Sequence, residues 1–313
     1  MSYHILFLMD PYASLNLETE TSLLLMTELK AQGHRVYWTE MDRLYLDNGK
    51  LRGRVSEVEG ISPFNLGEDE DRALEELDAL INRKDPPFDL NYLHLSLLFD
   101  FLPKGFPQIN APKALRDLNE KLASQRFPSR TTDCRVSMNP KHLAEFASKM
   151  ERVVVKPLDD CSGRGIVMLK GNDPDLEAKL TARMPPGGQF LMVQRHLPLV
   201  HKGDKRVFLA GGQVCGIVNR VPKDEDSLGN IHMGARCELA TLTPREEETL
   251  RQIVPLLEAE GVLLAGVDFI GEELTEINLT SPSAMRQINE VSGGQREKEV
   301  VGAILRFIKS RQA

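Results

Sequence analysis

The chain of 313 residues carries 39 Lys and Arg against 46 Asp and Glu, a net charge of −7, with 41% hydrophobic and 6% aromatic residues. Its length exceeds the roughly 100–200 residues of one domain, so two domains or one elaborated domain are expected. Basic residues are scattered among acids, which argues against a nucleic-acid partner, and no apolar run reaches the roughly 18 residues of a membrane helix. The N-terminus lacks the basic n-region and long apolar core of a signal peptide, so a cytoplasmic location is expected. Cys134, Cys161, Cys215 and Cys237 form no C-x-x-C pair, which argues against a disulfide framework or a zinc site.

Ile5 to Met9 is an apolar run of strand length, followed by Asp10-Pro11 and a helical pattern from about Leu17 to Gln32, with Gly33 placed to end it. Val36-Tyr37-Trp38 reads as the next strand, so the opening is β-α-β. That order predicts a parallel sheet with a ligand edge at the strand C-terminal ends, where Asp10 lies. Residues 47–73, rich in Gly, Asp and Glu, read as a turn-rich excursion. Leu77 to Ile81 is a further buried strand that ends in Asn82-Arg83-Lys84-Asp85-Pro86-Pro87.

Near 120–125 the pattern changes to β-rich stretches separated by single helices, and a domain boundary is expected there. Val153 to Pro157 and Gly165 to Leu169 read as two strands joined by a loop through Ser162-Gly163-Arg164-Gly165, and Phe190 to Gln194 as a third. A long hairpin runs from Arg206 through Gly211-Gly212 to Val221; with that turn, Arg206 falls opposite Ile217. Residues 222–238 read as a mobile loop. The segment 244–260 is an amphipathic helix, with Leu250, Val254 and Leu257 on one face.

Leu264 to Asn278 carries the clearest chemistry. If Ile270 pairs with Leu274 around a Gly-Glu-Glu loop, Asp268 falls opposite Glu276, and Asn278 shares the face of Glu276 because side chains alternate along a strand. Facing carboxylates repel unless a cation joins them, and two carboxylates with an amide suit Mg²⁺. A solvated hairpin face is the plainer alternative. Lys156 ends an apolar strand beside the glycine loop, and Lys121 follows Asn119-Glu120; each can grip phosphate as a point charge or simply extend to solvent. Arg206, Arg220 and Arg236 gather basic charge around one hairpin end, where guanidinium groups can offset charge that develops during transfer. The other common site patterns are absent: no G-x-x-x-x-G-K-[ST], G-x-G-x-x-G, G-x-S-x-G or H-E-x-x-H occurs.

These residues, in this order, resemble the ATP-grasp superfamily and, within it, the bacterial glutathione synthetases. The resemblance runs nearly end to end, through Met9-Asp10-Pro11, Arg83 to Asp89, Asn119-Glu120-Lys121, Lys156-Pro157-Leu158-Asp159, Gly203 to Val207, Gly266-Val267-Asp268, Thr275 to Asn278 and Thr280 to Ser283. It implies an α/β chain with an N-terminal parallel-sheet domain, 1–122, and an ATP-grasp domain, 123–313, whose lid spans about 123–200. Lys121 and Lys156 would then hold the ATP phosphates under a loop that includes Ser162, Gly163 and Gly165, with Gln194, Leu197 and Asp204 completing the nucleotide site. Asp268, Glu276 and Asn278 would hold two Mg²⁺ ions, with Mn²⁺ as a substitute. Asp10, Arg83, Lys84, Ser281, Pro282 and Ser283 would face the substrates, and Arg206, Arg220 and Arg236 would stabilise the transferring phosphoryl group. The implied activity is ligation of γ-glutamylcysteine to glycine through an acyl phosphate, by a homodimer or homotetramer. A related ligase with another dipeptide or amine, the reading that the bulky His232 and Met233 in the 222–238 loop would favour, and a catalytically silent nucleotide-binding protein are the alternatives.

Overall fold

The computed structural model describes residues 2–160, 163–223 and 234–312, which fold into three sheets. The first sheet opens with β1 (His4–Met9), α1 (Thr21–Ala31) and β2 (Arg35–Glu40), followed by β3 (Leu44–Asp47), β4 (Lys50–Ile61), β5 (Phe64–Ala73) and β6 (Ala79–Asn82). After α2 (Leu90–Leu98) come β7 (Gln108–Ile109) and α3 (Pro112–Asp117). β1 lies between β2 and β6, parallel to both, and β7 extends the parallel part. Both faces of this centre are covered, so its strands are unbroken apolar runs: Ile5 to Met9 and Val36 to Trp38 are all buried.

The expected β-α-β opening and parallel sheet are therefore present, with three differences. First, α1 starts at Thr21 rather than Leu17. The side chain of Asn16 accepts the Glu18 N–H and its carbonyl those of Thr19 and Glu20, which holds 17–19 as a turn before the Glu20 carboxylate caps Ser22. Gly33, at φ +83°, ends the helix as expected. Second, residues 47–73 are not a turn-rich excursion but most of the antiparallel β3-β4-β5 unit. β4 buries Leu51, Gly53 and Val55 in strict alternation, but two register shifts then break the period, and β5 is exposed and acidic, so the sequence reads as loop. Cross-strand pairs such as Arg52 with Asp71 satisfy that charge. Third, two helices stand where no element is expected: α2 packs Leu95 against the first sheet beside Leu6, Leu8 and Tyr37, whereas α3 places Ala114 and Leu115 in a separate core with Val207, Leu209 and Val267.

The second sheet has order β10-β9-β11-β8, all antiparallel, from β8 (Cys134–Ser137), β9 (Arg152–Pro157), β10 (Val167–Lys170) and β11 (Leu191–Arg195). The expected hairpin is formed by β9 and β10, with Val155 opposite Val167. α4 (Pro140–Ala147) and α5 (Leu176–Thr181) close one face over Val153, Val155, Leu191 and Val193.

The third sheet, β14-β13-β12-β15-β16, comprises β12 (Asp204–Ala210), β13 (Gln213–Val221), β14 (Arg236–Leu239), β15 (Leu264–Ile270) and β16 (Glu273–Asn278). α6 (Pro244–Ala259), started by a Thr243–Glu246 capping box, packs Leu250, Ile253 and Leu257 on one face, with Val254 partly buried. α7 (Met285–Ser292) and α8 (Glu297–Gln312) cover the other, sharing a core with α1. Gly211 and Gly212 make the expected positive-φ turn, at +58° and +73°. A bulge at Cys215 then shifts the register, so Arg206 lies opposite Val218 rather than Ile217, and Asp204 opposite Arg220. Asp268 does face Glu276, but Ile270 pairs with Glu273 rather than Leu274, because a two-residue turn is followed by a bulge at Thr275. The expected loop at 222–238 ends in β14, paired with β13, and positions 224–233 lie outside the described residues. Among the described residues no helix is long and apolar enough to cross a membrane.

Candidate active site

The three sheets converge on one cavity of about 760 Å³. Its floor is the end of the third sheet. Asp268 on β15 is buried between Arg206 and Arg220: Arg206 grips both carboxylate oxygens, with Nη2 to Oδ2 at 2.7 Å, and Arg220 Nη2 stands 3.1 Å from Oδ2. Burial would push this carboxyl up, but the two guanidinium groups prevail and hold it at about 2. Glu276, across the strand pair, meets Lys156 Nζ at 3.3 Å. Burial again pushes the carboxyl up, and Lys156 with Lys121 overrides it, leaving the pKa below the ordinary value. Asn278 donates through Nδ2 to Asp268 Oδ2 at 3.1 Å, turning its amide oxygen away from that bond. Gly266 leaves room for this arrangement, since a Cβ there would stand 3.0 Å from Arg206 Cδ and 3.1 Å from Nε.

Two carboxylates and an amide oxygen on one patch of sheet are hard ligands of the kind Mg²⁺ takes, with water and phosphate completing its shell. Among the described residues no group of three His, Cys, Asp or Glu side chains forms a fuller cage. The donor set therefore fits an ion shared with a polyanionic ligand better than an ion held by protein alone.

The neighbouring wall is suited to a nucleotide. Val154, Ile166, Met168, Leu197 and Val200 give it an apolar lining. Gln194 Nε2 and Asp204 Oδ1 are buried there without a hydrogen-bond partner among the described residues, one donor and one acceptor left for a ligand. Burial, with Asp268 nearby, raises the Asp204 carboxyl to about 6 against the pull of Arg220. Lys121 is buried and donates to the Asp160 carbonyl, while Gly163 and Gly165 adopt φ of +80° and +68°, which opens the loop backbone. Ser162, expected in the same loop, lies outside the described residues.

At the other end Asp10, Lys84, Ser281, Pro282 and Ser283 line the cavity, with Lys84 Nζ 2.7 Å from Asp10 Oδ1. Two expected site residues are placed elsewhere. Arg83 is buried behind the wall, donating from Nε to Ser22 Oγ at 2.8 Å and from Nη2 to the Pro282 carbonyl at 2.9 Å, so it braces the Ser281–Ser283 turn. Arg236 begins β14 outside the cavity, exposed and paired with Glu238. The sequence reading missed Glu120, whose carboxylate accepts the Leu279 and Thr280 N–H groups, and Asp85 and Arg164, which line the cavity. All three are chain neighbours of expected site residues: Glu120 precedes Lys121, Asp85 follows Lys84, and Arg164 lies between Gly163 and Gly165.

The fold and this cavity define an ATP-grasp carboxylate–amine ligase. A solved D-cycloserine synthetase superposes with a TM-score of 0.69 at 12% identity over 97% of this chain and 99% of that one. The ATP-grasp ligase PsnB, in a complex described as holding Mg and ADP, superposes with a TM-score of 0.62 at 17% identity over 98% and 99%. Residues 3–116 match the family model of the prokaryotic glutathione synthetase N-terminal domain, and residues 120–293 that of the prokaryotic glutathione synthetase ATP-grasp domain. The glutathione synthetase of Pseudomonas putida is 35% identical over 317 residues, covering 99% of this chain and all of that protein. The chain belongs to the prokaryotic glutathione synthetase family.

Proposed function

We propose that this protein joins γ-glutamylcysteine to glycine, with ATP converted to ADP and phosphate, in a cavity whose phosphate end is the Asp268–Glu276 pair. The observation that carries this reading is that pair itself: facing carboxylates kept ionised by two arginines and two lysines in the lining of a cavity of about 760 Å³. A carboxylate is too poor an electrophile for an amine, and phosphorylation to an acyl phosphate removes that barrier. In-line phosphoryl transfer asks for positioning and charge neutralisation rather than a protein nucleophile.

In this reading Lys121 and Lys156 hold the phosphates, the glycines at 163 and 165 present loop backbone to them, and Gln194, Leu197 and Asp204 bind the nucleoside. Arg206 and Arg220 stabilise the transferring phosphoryl group, while Arg236 would join them only by moving from its present position. Asp10, Lys84 and the Ser281–Ser283 turn, braced by Arg83, hold the dipeptide and the amine. Asp268, Glu276 and Asn278 would hold two Mg²⁺ ions, or Mn²⁺, which supply positive charge to the phosphates when bound. The same reading includes division into residues 1–122 and 123–313, with a lid of about 123–200, a homodimer or homotetramer, and a cytoplasmic location.

The test is phosphate release by the purified protein with ATP, Mg²⁺ and γ-glutamylcysteine, with and without glycine, followed by mass detection of product. Glycine-dependent release with formation of the tripeptide is expected. Turnover only with another amine would overturn the substrate assignment and leave the ligase chemistry standing.

A further inference from the structure

An amine supplied as an amino acid arrives protonated, and its lone pair is not available until that proton leaves. A carboxylate in the cavity is able to accept it where the nitrogen is to react. Eight acidic side chains line the cavity, and seven of them are committed. Asp10 is paired with Lys84, Asp160 with Arg164, Asp204 with Arg220, Asp268 with two arginines and Glu276 with Lys156. Glu20 caps the Ser22 N–H, and Glu120 accepts the N–H groups of Leu279 and Thr280. The eighth, Asp85, is exposed to the cavity and has no ion pair among the described residues, with the hydroxyl of Ser281 beside its carboxylate.

Its position is as informative as its lack of a cation. The Asp85 N–H donates to Asp10 Oδ2 at 2.9 Å, which anchors it at the peptide end of the cavity. The next carbonyl, that of Pro86, accepts from Arg164 Nη2 at 3.1 Å, and Arg164 belongs to the glycine loop on the phosphate side. Ser281 lies three residues beyond Asn278. Asp85 thus stands where the phosphate end and the substrate turn meet.

Resting on the ligase reading of this cavity, we propose that Asp85 is the base that deprotonates the incoming amine. The ammonium proton passes to the Asp85 carboxylate, and the freed nitrogen forms its bond to the acyl carbon. The bond from that carbon to the phosphate oxygen then breaks with its electron pair. The departing phosphate takes the second proton, released as the amide forms, and Asp85 returns its own to solvent.

The surroundings suit the role. Asp85 is exposed to the cavity, but the walls of the cavity limit the water around its carboxylate, and Glu20 from the start of α1 and Asp10 from the end of β1 further disfavour its charge. Arg83 and the Ser281 hydroxyl oppose them, and the carboxyl settles at about 6. A base works best with a pKa close to the working pH.

The experiment compares two nucleophiles in Asp85→Asn and wild type. Glycine needs the base, whereas hydroxylamine is largely neutral at neutral pH and traps an acyl phosphate as a hydroxamate without it. Asp85→Asn is expected to lose at least about 100-fold in kcat with glycine, to form hydroxamate within about threefold of wild type, and to lack an acidic limb near pH 6 in its residual glycine activity. Asp85→Glu should recover part of the loss. Equal loss with both nucleophiles would overturn the proposal, as would a change confined to the KM for glycine with the acidic limb intact. Wild-type protein that yields neither product would instead overturn the ligase reading, and is seen before any variant is made.

Discussion

Arg206 and Asp268 occupy directly opposed positions on neighbouring antiparallel strands, and the guanidinium of one closes on both carboxylate oxygens of the other. Strand register therefore delivers the contact, and the fork geometry of arginine completes it. A lysine at 206 keeps the charge but cannot make the two parallel bonds. Arg206→Lys should lower kcat by about 100-fold or more, with a smaller change in the KM for ATP, measured by steady-state phosphate release. Wild-type kcat in this variant would remove Arg206 from the reaction.

Glu276→Ala removes one member of the facing acid pair while leaving the β15–β16 hydrogen bonds in place. Turnover should fall by at least about 100-fold, and circular dichroism should show the fold retained. Unimpaired activity would refute the assignment of Glu276 to a metal.

Gly266→Ala tests space rather than chemistry. Its added methyl group would press on the Arg206 side chain, whose flexible end can move aside, so the expected loss is in kcat, about tenfold, more than in stability. Thermal unfolding and kinetics on the same sample separate the two. A large drop in unfolding midpoint with normal kcat would mean that β15, not Arg206, absorbs the strain.

The Asp85 carboxyl provides a pH test of stability. Its pKa of about 6 lies above the ordinary 3.8, so the folded protein holds this proton over a range where the unfolded chain has released it. The stabilisation is therefore complete below about pH 4 and is lost as pH rises through 6, and it is small because Asp85 is exposed to the cavity, where solvent screens its charge. Asp85→Asn has no such proton to lose, so relative to wild type it should be more stable at pH 7 than at pH 4, read from urea midpoints at both. An equal difference at the two pH values would mean that the carboxyl titrates normally.

What could be read in the sequence depended on how loudly each strand announced its period. The buried strands β1, β2 and β6 are continuous apolar runs and were legible, whereas β4 and β5 break alternation through bulges and exposed charge, and were not. The two hairpins of the third sheet show the limit more sharply. At β15–β16 the expected loop was one residue too long, but the bulge at Thr275 adds one residue to β16, so the two discrepancies cancel and Asp268 still meets Glu276. At β12–β13 the turn was right, nothing offset the bulge at Cys215, and the partner of Arg206 moved by one. A bulge leaves little trace in residue type, since it depends on the packing of both strands. Arg83 shows a related limit: a motif names neighbours in the chain, but whether a side chain enters the cavity or braces it from behind is decided by elements far away, here Ser22 and Pro282.

The arrangement around Asp268 makes binding at the cavity floor an exchange of partners. Arg206 and Arg220 are already satisfied by internal anions, Asp268 and Asp204, in the protein alone. An arriving phosphoryl group cannot simply add to them; it has to compete with carboxylates that are tethered at high local concentration. Weakly charged anions lose that competition, whereas a polyphosphate that brings its own cation for the displaced carboxylates wins on both sides at once. The floor is thereby expected to favour a polyphosphate carrying its cation over small free anions, by charge exchange rather than by shape.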